Sequence, residues 1–181
     1  GLQSLLIMLR SGFSVDALRC KLNSCLGKLV KGDYVVIILA YAGLVRLDRA
    51  HHTSHHSSSS EMLPAAAQGV LGIECLTNNT ELRAILEQLT DPVTMQTTTA
   101  ERTIARVLGA SCQSPVAAYA TVSNEALAMT ALVAHPDGSE FIRDSISGDA
   151  ADAEQLGETL AARLLEKGAR ALLDSIEALN D

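Results

Sequence analysis

Cys112 lies in "VLGASCQSPVAAYA" (107–120), a small-residue turn between a helix-like run and a strand-like run. Such a cysteine is either a buried small hydrophobe or a thiol held out of regular structure because a group is attached to it, and the local residues leave both open. The other cysteines, at positions 20, 25 and 75, form no CxxC pair and have no histidine at ligand spacing beside them. Neither a zinc knuckle nor a disulfide framework is indicated, and a reducing compartment, cytoplasm or organellar matrix, is the default. His51 with His55, and His52 with His56, have the i,i+4 spacing that could hold a transition metal on a helix. Their setting, "LDRAHHTSHHSSSS" (47–60), is serine-rich and a poor helix former, so we read a solvated, mobile loop and assign no metal.

The chain has 181 residues, 48% of them hydrophobic, which suffices for one core of ordinary size or two small ones sharing an interface. Aromatic residues make up 3%, with no tryptophan, so the core must be aliphatic and base-stacking platforms lack material. The net charge of -7 and the dispersal of 14 basic residues further exclude a nucleic-acid surface. An anionic ligand must therefore meet a few placed arginines. The longest apolar run, "VVIILAYAGLV" (35–45), is too short to span a bilayer and too β-branched for a helix, and no signal-peptide pattern precedes it.

The elements that would carry these residues follow from periodicity. Leu2, Leu5, Leu6 and Leu9 predict a first helix stopped at Ser11-Gly12; its lack of a cap suggests a start inside something longer or beneath a partner. Leu22, Leu26 and Leu29 predict a helix closed by Gly32, followed by a buried strand over 35–42. A second buried strand is predicted for Val70 to Cys75, a helix capped by Asn79 or Thr80 through about Leu89, and another from about Thr97 to Leu108. Strand-like stretches at 116–122, 126–134 and 140–147, joined by Ser123-Asn124 and "HPDG" (135–138), predict an antiparallel meander. A long helix from about Ala151 to Lys167 and a shorter one from Ala169 to Leu179 would back one face of that sheet.

Five stretches carry a resemblance: "DYVVIILAYAGLVRL" (33–47), "MLPAAAQGVLGIEC" (62–75), "TAERTIARVLGASCQSPVAAYA" (99–120), "LVAHPDGSEFIR" (132–143) and "AEQLGETLAARLLEKGAR" (153–170). In order and spacing the chain resembles the C-terminal part of the porphobilinogen deaminase, or hydroxymethylbilane synthase, family. The resemblance implies that Cys112 carries a dipyrromethane cofactor through a thioether, on which porphobilinogen is polymerised to a linear tetrapyrrole with release of ammonia. It gives the lone thiol its chemistry, because a thiolate attacking an electrophilic azafulvene carbon must be accessible with open space beside it. The cofactor's acetates and propionates would meet arginines, and Arg19 and Arg46 fall at two such positions. Gln68 matches a residue lining the family's interdomain cleft.

The resemblance also implies what this chain lacks. The segment bearing the family's catalytic aspartate has no counterpart, so no catalytic residue is assigned. Cys25 stands where a further arginine is expected, an arginine pair aligns with Gly1 and Leu2 or falls outside the chain, and the "RGN" context usual at Arg19 reads "RCK". Two readings follow: a hydroxymethylbilane synthase not competent as this chain alone, or a non-catalytic homologue serving as a binding or structural subunit. The strand Val70 to Cys75 would have no sheet to join, which predicts a protein partner or self-association covering the exposed half. The expected architecture is a partial periplasmic-binding-protein-like α/β domain over 1–90, then an α+β domain over 91–181 with a three-stranded antiparallel sheet packed on helices.

Overall fold

In the computed structural model, residues 14–111 and 114–178 are described. The expected first helix over residues 2–9 lies outside them. The chain divides into two compact units, Ser14–Ser58 and one containing Ser59–Asp181.

In the first unit the leucine spacing produces helix α1, Leu22–Val30, and the chain leaves it through Gly32 at φ 81°, a left-handed conformation that glycine adopts at no steric cost. Residues 34–40 correct the expected buried strand. They are irregular chain with a bend at Val35 and pair with no strand, and Val35 and Val36 are 91% and 65% exposed. A β-branched run becomes a strand only when a neighbour supplies the ladder of hydrogen bonds, and among the described residues none does. Helix α2, Tyr41–Arg46, begins where that strand was expected to end. A single 3-10 turn, Ala50–His52, follows, so the histidine pairs do not share a helix. The rings of His51 and His52 lie 4.3 Å apart, and His56 packs on Tyr41 at 4.6 Å.

A second correction concerns Cys20 and Cys25, which form a disulfide with Cα atoms 5.7 Å apart. The spacing carries no familiar signature because Cys20 precedes the extended residue Lys21, after which the helix carries Cys25 back toward it.

In the second unit, 70–75 repeats the pattern of 34–40: Leu71 is 88% exposed and no strand forms. Helix α3, Thr80–Glu87, is capped by Asn79, whose side chain accepts the Leu82 N–H at 3.1 Å. Helix α4, Pro92–Leu108, starts earlier than its apolar period indicates. Asp91 accepts the Thr94 N–H at 2.7 Å and Pro92 pre-sets the first turn, so a threonine-rich segment becomes helical. Strands β1 (Val116–Ser123), β2 (Ala126–Ala134) and β3 (Phe141–Asp149) form an antiparallel sheet in the order β1-β2-β3. Asn124 and Glu125, at φ 50° and 64°, make the two-residue turn between β1 and β2. Between β2 and β3, Asp137 accepts the Ser139 N–H at 2.8 Å; hydrogen bonds from Ser139 and then His135 hold its carboxyl down to about 2.

Helices α5, Ala153–Glu166, and α6, Ala169–Glu177, pack with α4 on one sheet face. Ile104 and Leu108 meet Leu127, Met129 and Val133 of β2 and Leu160 and Leu164 of α5 there. On the other face Leu63 covers Ala117, Leu132 and Ala134. This part is the expected α+β arrangement.

Candidate functional site

Arg19 stands two residues before the N-cap-to-helix transition of α1, and Arg46 is the last residue of α2. The two helices touch where Leu22 Cδ1 lies 3.1 Å from the position a Cβ on Gly43 would occupy, and both arginines belong to the unit Ser14–Ser58. Both are exposed, and neither has an ion pair or hydrogen bond among the described residues. A guanidinium in this state keeps its donor fork available for a carboxylate. Cys25, at the expected position of a further arginine, is instead 2% exposed and tied to Cys20.

Gln68 belongs to the other unit and is exposed at a tight turn. Its N–H donates to the Ala65 carbonyl at 3.1 Å, the Val70 N–H donates to the Ala67 carbonyl at 3.2 Å, and Ala67 holds φ 58°. Beneath this turn lies Glu101, a buried residue of α4 that the sequence reading passed over. Its Oε2 accepts the Ala67 N–H at 2.7 Å and its Oε1 the Ala120 N–H at 2.8 Å. Burial pushes its carboxyl above the ordinary range against the opposing pull of those two N–H groups. The available signal was positional, since Glu101 shares the buried stripe of Ala100, Ile104 and Leu108.

Cys112 and Gln113 lie outside the described residues. Helix α4 stops at Gly109 with φ 67°, where the Ala110 N–H reaches back to the Ala105 carbonyl at 2.8 Å. The Ser111 N–H donates to Ser114 Oγ at 2.9 Å, and the Ser114 N–H donates to the Ser111 carbonyl at 3.1 Å. These paired serines bracket the two residues between them and hand the chain to β1.

A groove of about 700 Å³ runs along the outer sheet face, lined by Tyr119, Thr121, Arg143 and Ser145 among others. None of Arg19, Arg46 or Gln68 lines it. Among the described residues no group of three or more His, Cys, Asp or Glu could hold a metal ion, and no helix is long and apolar enough to cross a membrane.

Two family models match the chain. Residues 3–84 match "Porphobilinogen deaminase, dipyromethane cofactor binding domain", and residues 95–166 match "Porphobilinogen deaminase, C-terminal domain". A porphobilinogen deaminase of Thiobacillus denitrificans is 45% identical over 165 residues, 91% of this chain and 54% of that protein. Those of Bordetella parapertussis and Chromobacterium violaceum are 46% and 44% identical, over 88% and 91% of this chain and 51% and 53% of theirs. The chain belongs to the porphobilinogen deaminase family. It spans about half the length of these curated relatives.

Proposed function

We propose that the chain is the cofactor-bearing portion of a hydroxymethylbilane synthase, polymerising porphobilinogen on a dipyrromethane linked to Cys112, and that residues 1–181 alone are not competent to do so. The observation that carries this reading is the match of residues 3–84 to the cofactor-binding domain of the family. The donor set fits the group: guanidinium forks at Arg19 and Arg46, exposed and without a partner among the described residues, are suited to acetate and propionate carboxylates. When bound, the dipyrromethane supplies the covalent primer on which the pyrrole chain grows. Arg19 and Arg46 bind and orient its carboxylates, Gln68 offers an exposed amide, and hydrogen bonds between Ser111 and Ser114 tie together the residues that flank Cys112 and Gln113. Thioether formation needs Cys112 as a thiol, whereas the Cys20–Cys25 disulfide departs from the all-reduced cysteines expected of a reducing cytoplasm or organellar matrix.

The family models, ending at 84 and resuming at 95, support a division near residue 90; we read the first part as a partial periplasmic-binding-protein-like α/β domain and the second as the C-terminal α+β domain. The exposed apolar segments 34–40 and 70–75 support a protein partner, or a second copy, that completes the first of these. The test is to incubate the chain with porphobilinogen, alone and with the complementary half of a relative, and to map the Cys112 peptide by mass. A dipyrromethane adduct that is absent from Cys112→Ser is expected. A thiol that alkylates completely under both conditions would overturn the proposal.

A further inference from the structure

We infer that Glu101 is the positioning residue for the turn that presents Gln68, and that it closes the free edge of the sheet by the same contacts. The inference rests on the reading of Gln68 given above. Among the described residues strand β1 is an edge strand, paired with β2 alone. Its outward N–H groups at Ala118 and Ala120 would face solvent or another chain. The Pro64 carbonyl takes the first at 3.1 Å, and Glu101 Oε1 takes the second at 2.8 Å. Glu101 Oε2 then reaches the Ala67 N–H at 2.7 Å, so one carboxylate joins α4, the sheet edge and the 64–68 turn.

The turn needs this support. Ala67 sits at φ 58°, where an L-residue with a Cβ is disfavoured, so something must hold it there. Leu63 anchors one end of the segment in the apolar cluster under the outer sheet face, but Gln68 and Gly69 are exposed. No described cation pairs with Glu101; two backbone donors replace the water that its oxygens lose on burial. An apolar side chain would fill the same space at lower desolvation cost, but it would orphan both N–H groups.

Amide hydrogen exchange and side-chain NMR on the whole chain test this. In the unaltered protein the Ala67 amide should exchange as slowly as that of Ala120, although it lies in a loop; free exchange there would overturn the inference even if no variant folds. Glu101→Met keeps a similar volume without either acceptor. It should lower protection at Ala67 and Ala120 roughly 10- to 100-fold. Glu101→Gln, with one accepting atom, should restore one of the two. Porphobilinogen should shift the Gln68 side-chain amide resonances in the unaltered protein and not in Glu101→Met. Wild-type protection or an intact Gln68 response in Glu101→Met would overturn the positioning role. A Gln68 that ignores porphobilinogen in the unaltered protein would overturn its assignment to the binding site; the protection data would still decide whether Glu101 holds the turn.

Discussion

A carboxylate that exchanges water for two backbone N–H donors reports the balance through its titration. At Glu101 burial outweighs the donors, so the folded protein holds the proton more tightly than the unfolded chain does. Between the ordinary glutamate pKa and the raised folded value, the folded state binds more protons, and this group's contribution to stability falls as pH rises through that window. Carbon-13 NMR of the Glu101 carboxyl should therefore show a midpoint above the ordinary range; a midpoint at or below it would mean that the hydrogen bonds dominate. Cys20 and Cys25 make a second prediction at this scale. Their bridge closes a short loop across the start of α1, and reduction should cost about 2 kcal/mol in the unfolding of 14–58, measured by denaturant titration with and without dithiothreitol. Neither pairing was legible beforehand, although the position of Glu101 in the buried stripe of its helix was. Glu101 bonds to Ala67, 34 residues earlier, and Cys25 to a residue across a helix start, and neither pairing leaves a periodic trace.

Elements were legible where local signals and packing agree. The meander was readable because alternation, a polar turn and "HPDG" all indicate the same strands, and the observed register keeps Leu127, Met129, Ala131 and Val133 on or near the core. Apolar content misled at 35–42 and 70–75, because burial of a hydrophobic run depends on layers that the described residues do not supply. The start of α4 was misplaced for the opposite reason, since Asp91-Pro92 is a strong start signal ahead of residues with little apolar period. One close packing between elements is also testable. A Cβ on Gly157 of α5 would lie 2.7 Å from the Ala100 carbonyl oxygen and 2.8 Å from Thr103 Cβ of α4, so the glycine lets these helices approach. Gly157→Ala gains helix propensity but forces the pair apart, and thermal unfolding should show a net loss of about 1–3 kcal/mol.

For the whole molecule, apolar surface is unevenly placed. The C-terminal sheet and helices bury an aliphatic core, while 34–40 and 70–75 expose Val35, Leu71 and Ile73 with no backbone hydrogen bonds at 34–39 or 71–75 among the described residues. Apolar chain with free backbone donors and acceptors is open to completion by strand addition. Light scattering should show a species larger than a monomer for the chain alone, shifting to a defined heterodimer when the complementary half of a relative is added. A well-behaved monomer that ignores the complement would count against this. The candidate arginines were legible through resemblance alone, because single exposed cations carry no spacing signature. Finally, the Glu125 carbonyl at the β1–β2 turn accepts the Ala150 N–H at 2.8 Å, just before α5. That bond makes the hairpin tip the latch of the helix that follows it, so the two should open as one cooperative unit, with the Ala150 amide exchanging on the clock of the hairpin.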